Sequence, residues 1–418
     1  MYKFAHISDC HLGSNRDPFL RKLEMNAFNY ALEECAKRKV DFIIITGDLF
    51  HSNIPDLGVV NSAVKKMNAV VSQNIPIYVI YGSHDYSPNE TSIVDILSSA
   101  NLFTKVVRGE IKDEKLKLDF FTNTKTGVKI AGISARRLGL EKKYFEMLDR
   151  ESLEKEPGFK IFAFHSGITE LKPKHLTRME SIPISYLPKG FNYYAGGHIH
   201  QHTKRKFEGY GLVAYPGTIF AGYPRDMEDN ARGEKRGFLI ISFDTEIENT
   251  EFVEIPGPEY FLLEYDATGK NSAKVREDLI EKAGEIPAEE KIVLLKVGGE
   301  MSGGSTSDID FMKIRNILLQ RGALYVSVNR HSLTTREYEA VRPMGEDIGE
   351  VERNLFKENI GAVKVSVESL KGEKGAKLAT ELLTVLRQNQ KAGETKKDYE
   401  SRVVKQAVDI LKLEGAFK

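Results

Sequence analysis

The sequence contains only two cysteines, Cys10 and Cys35, among its 418 residues. Two cysteines cannot form a disulfide framework, and their positions do not match a zinc ribbon. No apolar run is long enough to span a bilayer, and residues 1–6 lack the charged and apolar regions of a signal peptide. Together these absences predict a protein of the reducing cytoplasm without a membrane partner.

An excess of either charge is also missing, because 60 lysines and arginines balance 60 aspartates and glutamates. This balance argues against a generally basic nucleic-acid-binding protein. It does not exclude DNA as a ligand. Basic residues can cluster on one face, and bound metal ions would add positive charge where a phosphate group must lie.

The length suffices for a large catalytic domain and one or two smaller ones. The first 100 residues alternate strands and helices, which is typical of βαβ units and a largely parallel sheet. From residue 128 onward, strands dominate and predict a second sheet packed on the first. The predicted strands are 4–8, 40–46, 76–81, 128–134, 160–164, 192–195, 211–215 and 237–243, and the predicted helices are 20–35 and 60–71.

The segment Ile255-Pro256-Gly257-Pro258 predicts a domain boundary. We expect a main domain over residues 1–255, a small α+β domain over 256–345 with a Gly/Ser-rich loop at 299–307, and a helical region over 346–418. That last region contains a possible helix at 348–357, a linker at 371–375 and two short amphipathic helices. Helices this short are marginal alone, so they either pack on the body or dock on a partner.

Five segments with metal-binding side chains each follow a predicted strand. They are Asp9-Cys10-His11, Gly47-Asp48-Leu49-Phe50-His51, Gly82-Ser83-His84-Asp85, His165 and Gly197-His198-Ile199-His200. Ligands of open α/β sheets bind outside the carboxyl ends of the strands. All five segments should therefore point to one site.

The residue types at these strand ends suit a pair of divalent ions. Imidazole and carboxylate groups together bind manganese, iron or zinc without cysteine. In an extended Asp-x-His or His-x-His segment both side chains point to the same side, and the glycines at 47, 82, 196 and 197 permit tight turns and close approach. A single such motif is more often a turn or a core histidine. Five in this order indicate a dinuclear metal site.

In these motifs the sequence resembles the calcineurin-like metallophosphoesterase superfamily, over roughly residues 1–220. It is more closely similar to the nuclease subunit of the double-strand-break repair complex, called SbcD in bacteria, in Asp9–Gly13, in 47–51, in 197–200 and in Tyr215-Pro216-Gly217-Thr218. The resemblance implies an α/β fold: a two-sheet α/β/β/α sandwich, followed by a small α+β capping domain and a helical C-terminal tail that docks on an ATPase.

The resemblance also implies a role for each motif residue. Asp9, His11 and His200 would hold the first metal, His165 and His198 the second, and Asp48 would bridge both. His84 and His51 would lie beside the scissile phosphate. By its chemistry His84 suits the role of proton donor, with Asp85 as its orienting partner. His51 either steadies the developing charge or only stabilises its turn. The family expects Asn at the position of Ser83, whose shorter hydroxyl is a poorer metal ligand.

We therefore predict a manganese-dependent DNA nuclease with exonuclease and endonuclease activity, in which a metal-bridging hydroxide attacks phosphorus. Its expected partners are DNA (duplex ends, hairpins and single strands), an SMC-like coiled-coil ATPase, and a second copy bound through helices flanking 58–71 and the region after 89. Two alternatives remain: a small-substrate phosphodiesterase or phosphatase of the same fold, and a catalytically weakened scaffold that lost activity through Ser83.

Overall fold

The protein is described from a computed structural model, which covers residues 1–85, 91–136, 140–173, 179–335, 356, 372–391 and 394–411. The chain forms two compact units. The larger contains Met1–Glu264, Ala283–Lys296 and Met312–Asn329, and the smaller contains Tyr265–Lys282, Val297–Phe311 and Arg330–Lys418. No helix within the described ranges combines the length and apolar character needed to cross a membrane.

The secondary structure is as follows. The α-helices are α1 (Pro18–Lys37), α2 (Leu57–Val71), α3 (Ile93–Ser99), α4 (Glu141–Met147), α5 (Arg150–Lys155), α6 (Pro224–Ala231), α7 (Ser272–Glu285), α8 (Phe311–Gln320), α9 (Gly372–Leu386) and α10 (Lys396–Leu411). The strands are β1 (Tyr2–Ile7), β2 (Phe42–Thr46), β3 (Ile77–Ile80), β4 (Thr104–Lys105), β5 (Gly109–Lys112), β6 (Lys115–Leu118), β7 (Phe121–Thr122), β8 (Lys129–Ile133), β9 (Lys160–His165), β10 (Gly167–Ile168), β11 (Ser181–Ile182), β12 (Tyr193–Gly197), β13 (Thr203–Lys206), β14 (Leu212–Tyr215), β15 (Gly237–Phe243), β16 (Ile247–Glu254), β17 (Glu259–Asp266), β18 (Lys291–Met301), β19 (Tyr325–Asn329) and β20 (Leu333–Thr335).

Two six-stranded sheets make up the body of the larger unit. The first has the order β16-β15-β1-β2-β3-β4, and the second has the order β13-β14-β12-β9-β8-β7. β1 to β4 are parallel to one another, as are β14, β12, β9 and β8. The outer pairs β1–β15, β15–β16, β13–β14 and β7–β8 are antiparallel. The predicted two-sheet α/β fold is confirmed.

Alternation along the strands divides the core of the larger unit into layers. In β2, Phe42 and Ile44 face the second sheet, while Ile43 and Ile45 face the helices α1 and α2. In β9, Ile161 and Ala163 face the first sheet, and Phe162 packs on the other side with residues of α4 and α5. The order of layers is therefore helix, sheet, sheet, helix.

Side-chain caps determine where α1 and α2, the helices before and after β2, begin. Asp17 caps α1 by accepting hydrogen bonds from the backbone N–H groups of Phe19 and Leu20, and Pro18 occupies the first turn. Asp56 caps α2 in the same way, accepting from Gly58 and Val59. These caps fix where the chain leaves each loop at the carboxyl end of the first sheet.

The remaining strands extend the α+β part of the chain. In the larger unit, residues 292–296 of β18 pair in parallel with β19. In the smaller unit, residues 299–301 of β18 pair in parallel with β20. The expected loop at 299–307 is therefore wrong in its first part, since Gly299–Met301 continue a hydrogen-bonded strand. A separate capping domain over 256–345 remains a prediction.

The tail of the smaller unit forms a helical hairpin from α9 and α10. Arg402 donates hydrogen bonds to Glu394 and to the carbonyl of Asn389, and the Tyr399 hydroxyl donates to the carbonyl of Gln388. Three apolar residues of the predicted stripes are exposed: Leu386 at 55%, Val404 at 60% and Leu411 at 36%. The predicted linker at 371–375 is wrong from residue 372 onward, because residues 372–375 form the first turn of α9. The predicted helix at 348–357 lies outside the described residues apart from residue 356.

Candidate metal centre

The ends of five strands from both sheets bring the predicted site residues together. Asp9 and His11 follow β1, Asp48 follows β2, and the segment 82–85 follows β3. His165 ends β9, and the register of β9 with β12 places it opposite Gly197. Backbone hydrogen bonds from Asp9 to Gly47 and from His11 to Asp48 hold the first two loops together.

Backbone conformation turns the side chains of several candidate ligands toward one point. Asp9, His11, Asp48 and His198 have φ values of 49°, 46°, 50° and 90°, in the left-handed region that residues with side chains rarely adopt. Such conformations persist only where surrounding contacts stabilise them, and they are enriched at functional sites. The hydroxyl of Thr218 supplies one such contact by donating to the Asp9 carbonyl at 2.7 Å.

Asp9, His11 and His200 form the first cluster of candidate ligands, with ligand atoms within 4.8 Å of one another. His11 Nε2 and His200 Nε2 lie 3.1 Å apart, and Asp9 Oδ1 is 3.9 Å from the first and 4.0 Å from the second. The structure thus brings together the three residues predicted for the first metal.

Asp9, Asp48 and His165 form the second cluster, again within 4.8 Å. His165 Nε2 lies 3.4 Å from Asp48 Oδ2 and 3.9 Å from Asp9 Oδ1. Asp48 Oδ2 is also 3.7 Å from His11 Nε2 of the first cluster. Both carboxylates therefore lie between the clusters, which is the arrangement that a bridging ligand requires.

The hydrogen bonds of the two clusters leave lone pairs suited to cations. His165 Nδ1 must donate to the carbonyl of Thr46 at 2.8 Å, so the lone pair of the neutral ring is on Nε2, which is buried without a hydrogen-bond partner among the described residues. His200 Nδ1 faces Asp226 Oδ2 at 2.9 Å, so its Nε2 lone pair faces His11. Divalent cations would satisfy these nitrogens, and the residues fit a metal pair.

Glycines at the strand ends leave space for these side chains where the backbone segments pack closely. A Cβ atom on Gly82 would collide with the Asp48 carboxylate, and one on Gly197 would collide with the Thr46 carbonyl and the His165 ring. Gly47 has a φ of +89° and lies equally close to His165. The prediction that these glycines permit close approach is confirmed.

His198 and Ser83 lie at the edge of the second cluster. The rings of His198 and His165 are 5.3 Å apart between centroids, and the His198 backbone N–H donates to Asp9 Oδ2 at 3.0 Å. Ser83 is exposed, and its hydroxyl donates to Asp48 Oδ2 at 3.4 Å. Ser83 therefore contacts the shared carboxylate.

His84 and His51 lie beside the first cluster, where nitrogens of His11, His51 and His84 come within 4.8 Å of one another. The rings of His51 and His84 stack at 5.0 Å. His84 Nδ1 donates to the carbonyl of His51 at 2.7 Å, and His51 Nδ1 lies 3.0 Å from the Tyr223 hydroxyl. The predicted neighbours are thus brought together.

Asp85 has other partners than the His84 ring that we expected it to orient. Its buried carboxylate accepts hydrogen bonds from the backbone N–H groups of Gly82, Phe50 and Leu49, at 3.0, 3.2 and 3.3 Å. These bonds tie the loop after β3 to the loop after β2. The group that orients the His84 ring is instead the His51 carbonyl, because the Asp85 side chain is engaged by the backbone.

The electrostatics of the clusters favour positive charge. Burial alone would raise the pKa of Asp48, but the neighbouring His165 and His11 rings hold it well below its usual value. Burial likewise opposes charge on His165, yet the carboxylates of Asp48 and Asp9 raise its pKa to about 10. Carboxylates that attract a proton so strongly in a buried site attract a divalent cation for the same reason.

Residues 2–202 match the calcineurin-like phosphoesterase family. This part of the chain is therefore similar to that family. The chain is similar to the DNA double-strand break repair protein Mre11 of Archaeoglobus fulgidus, with 28% identity over 284 residues that cover 63% of this chain and 61% of that protein. Mre11 of Methanococcus maripaludis is 28% identical over 251 residues, covering 58% and 64%.

The matched region spans less than two thirds of the length of these two relatives. A solved structure, a dimetal phosphatase from Danio rerio, aligns with 61% of this chain and 99% of that chain at 8% identity and a TM-score of 0.40.

The site also contains supporting residues that the sequence motifs did not indicate. Asp226 holds His200, and Arg236 donates to the backbone carbonyls of His200 and Asp226 at 2.5 and 2.9 Å. Tyr223 contacts His51. Asp226 and Tyr223 lie at the start of α6, whose charged sequence gives no apolar periodicity to predict a helix. Thr218 alone lies in a motif noted for its resemblance.

Proposed function

We propose that this chain is a metal-dependent DNA nuclease that hydrolyses phosphodiester bonds at DNA ends. The observation that carries the proposal is the convergence of two histidine–carboxylate clusters with His84 and His51 at one set of strand ends. Two clusters that share Asp9, with Asp48 of the second also 3.7 Å from His11 of the first, suit two ions. The two adjacent histidines suit the phosphate that such ions would bind.

The proposed ligand assignment is the one that the motifs imply. Asp9, His11 and His200 would hold one ion, His165 and His198 the other, with Asp48 bridging and Ser83 in the place of a further ligand. When bound, divalent ions supply Lewis acidity, which polarises a phosphate oxygen and lowers the pKa of a water. Manganese is the ion we assign, because the ligand set combines imidazole with carboxylate.

The histidines beside the clusters provide proton transfer and charge stabilisation. Because His84 Nδ1 donates to the His51 carbonyl, the proton that a charged ring can give up is on Nε2, and we assign this atom to protonate the leaving sugar oxygen. His51 Nε2 is the atom we assign to donate to a phosphate oxygen as charge develops there.

DNA is proposed as the substrate because two relatives that align with more than half of this chain are named as DNA double-strand break repair proteins. Exonuclease and endonuclease activity, a capping role for 256–345 and homodimerisation belong to the same proposal. An SMC-like ATPase is the proposed partner of the tail, since Leu386, Val404 and Leu411 expose an apolar surface that a coiled-coil groove could cover.

Cleavage of labelled duplex, hairpin and single-stranded DNA, with manganese, magnesium or excess chelator, tests the proposal. We expect cleavage with manganese and none with chelator. Bis(p-nitrophenyl) phosphate serves as a small-substrate comparison in the same assay. Hydrolysis of that compound without DNA cleavage would favour the small-substrate phosphodiesterase, and inactivity toward every substrate at saturating manganese would favour the weakened scaffold.

A further inference from the structure

Tyr223 contacts three histidines of the site from the start of α6. Its hydroxyl lies 3.0 Å from His51 Nδ1, and within the described ranges this is the one hydrogen bond it makes. Its ring centroid lies 5.3 Å from that of His11 and 5.6 Å from that of His200. The side chain therefore adjoins both a metal-ligand cluster and the histidine assigned to the phosphate.

Several contacts fix the position of Tyr223. Pro224 occupies the first turn of α6 and restricts the backbone there. Asp226, three residues after Tyr223, holds His200. The preceding Gly222 lies against Ser14, where even a Cβ atom would not fit. One helix start thus holds a metal ligand and a phosphate-binding histidine at once.

The loop against which Gly222 packs is itself fixed. Glu24 is almost fully buried, and its carboxylate accepts hydrogen bonds from the backbone N–H of Gly13, the hydroxyl of Ser14 and the amide of Asn15. Tyr223 therefore approaches His51 from a rigid support, and its hydroxyl is held in place before a substrate binds.

A phosphate oxygen can only accept hydrogen bonds, so His51 must present an N–H group to bind one. A neutral imidazole has one N–H and one lone pair. If Nδ1 carried the proton and donated to Tyr223, the lone pair of Nε2 would face the phosphate anion and repel it. If the hydroxyl donates to Nδ1, the proton is on Nε2, where it is needed.

We propose that Tyr223 is a positioning residue that fixes the tautomer of His51, by donating its hydroxyl hydrogen to Nδ1 so that Nε2–H faces the phosphate. This inference rests on the proposed function, because it assigns a phosphate to the site. Without the hydroxyl, both His51 tautomers are populated, and only part of the protein has the donor in place when substrate arrives.

Kinetics with bis(p-nitrophenyl) phosphate and manganese test the proposal in the full chain. Tyr223→Phe should lower kcat roughly tenfold, with little change in KM or metal content, as loss of an orienting partner does elsewhere. The control Tyr186→Phe removes a hydroxyl bonded to Glu146 at the surface and should leave kcat unchanged. In a His51→Gln background, Tyr223→Phe should cause no further loss. Equal losses in both backgrounds would overturn the proposal.

Nitrogen NMR of the full chain with ¹⁵N-labelled histidine tests the tautomer without any turnover. The His51 signals, assigned by their disappearance in His51→Gln, should show a single Nε2–H tautomer in the wild type and a mixture in Tyr223→Phe. An unchanged tautomer in Tyr223→Phe would contradict the proposal. Absence of phosphodiesterase activity would count against the proposed function alone, because the NMR comparison reports on His51 in either case.

Discussion

At the scale of single residues, Ser83 is the position where this site departs most from what the motifs imply. Its side chain is exposed and reaches Asp48 through one long hydrogen bond of 3.4 Å. A neutral hydroxyl at this distance from the Asp48 carboxylate contributes little to the binding energy of an ion held by that carboxylate. The ion assigned to His165 and His198 should therefore bind more weakly than the ion in the first cluster.

Ser83→Asn is expected to strengthen the weaker manganese site, because an amide oxygen reaches further and is a better ligand for a hard ion. The expected gain is roughly tenfold in affinity, or about 1.4 kcal/mol. Isothermal titration with manganese measures both sites. Equal affinities for the two ions in the wild type would show that the hydroxyl is not limiting.

His84→Ala should reduce turnover roughly a hundredfold or more, since it removes a proton donor, and should leave metal content unchanged. The backbone N–H of residue 84, which donates to Asp48 at 2.8 Å, survives this substitution. Metal analysis of the purified variant accompanies the rate measurement. If His84→Ala loses both ions, His84 is a ligand and its assignment as donor is wrong.

At the scale of elements, the site depends on how closely β2, β9 and β12 approach one another at their carboxyl ends. Gly197 is the clearest case, because a side chain there would meet the Thr46 carbonyl and the His165 ring. Thr46 in turn accepts the hydrogen bond that orients His165. A shift of one strand end would therefore move His165, a proposed metal ligand.

Gly197→Ala should lower the free energy of unfolding by about 1–3 kcal/mol through overpacking, and should also weaken manganese binding. The matched control is Gly284→Ala in α7, where an added methyl group meets no atom within 4 Å. That control should be neutral or slightly stabilising. Thermal unfolding measures the Tm of both variants against the wild type. An unchanged Tm for Gly197→Ala would contradict the packing argument.

The same elements show what sequence patterns can and cannot predict. Alternation and apolar runs predicted β2, β9 and β12 to within about two residues, because those strands are buried on both faces. The helix α6 was missed, since its buried residues include Asp226, Glu228 and Asp229. Glu228 pairs with Lys296 and Asp226 with His200, both distant in sequence, so acidic residues take buried positions and leave no apolar periodicity.

At the scale of the whole molecule, the sequence predicted where the candidate ligands meet but not how their side chains are oriented. Strand ends of a parallel sheet converge, which placed Asp9, His11 and Asp48 together from topology alone. The histidine rings are oriented by backbone carbonyls and by side chains at the start of α6, a helix that the sequence did not predict. Asp85 accepts hydrogen bonds from backbone N–H groups and does not orient a ring. Such roles depend on tertiary contacts that single motifs do not encode.

The tail offers a separate prediction. Ending the chain at residue 371 should abolish binding of an SMC-like ATPase, because the α9–α10 hairpin carries the exposed Leu386 and Val404. Manganese content and cleavage of short DNA should be largely retained. Pull-down and metal analysis of the shortened protein measure both. Undiminished ATPase binding, or unfolding of the shortened protein, would instead favour a tail that packs on the body.

The central claim is that two histidine–carboxylate clusters form a dinuclear metal site, and counting bound ions tests it most directly. Equilibrium dialysis against manganese, followed by elemental analysis, should give two ions per wild-type chain at saturation. Asp48→Asn, which removes the charge shared between the clusters, should retain at most one. A wild-type chain that saturates with one ion or none, or an Asp48→Asn variant that still binds two, would contradict the claim.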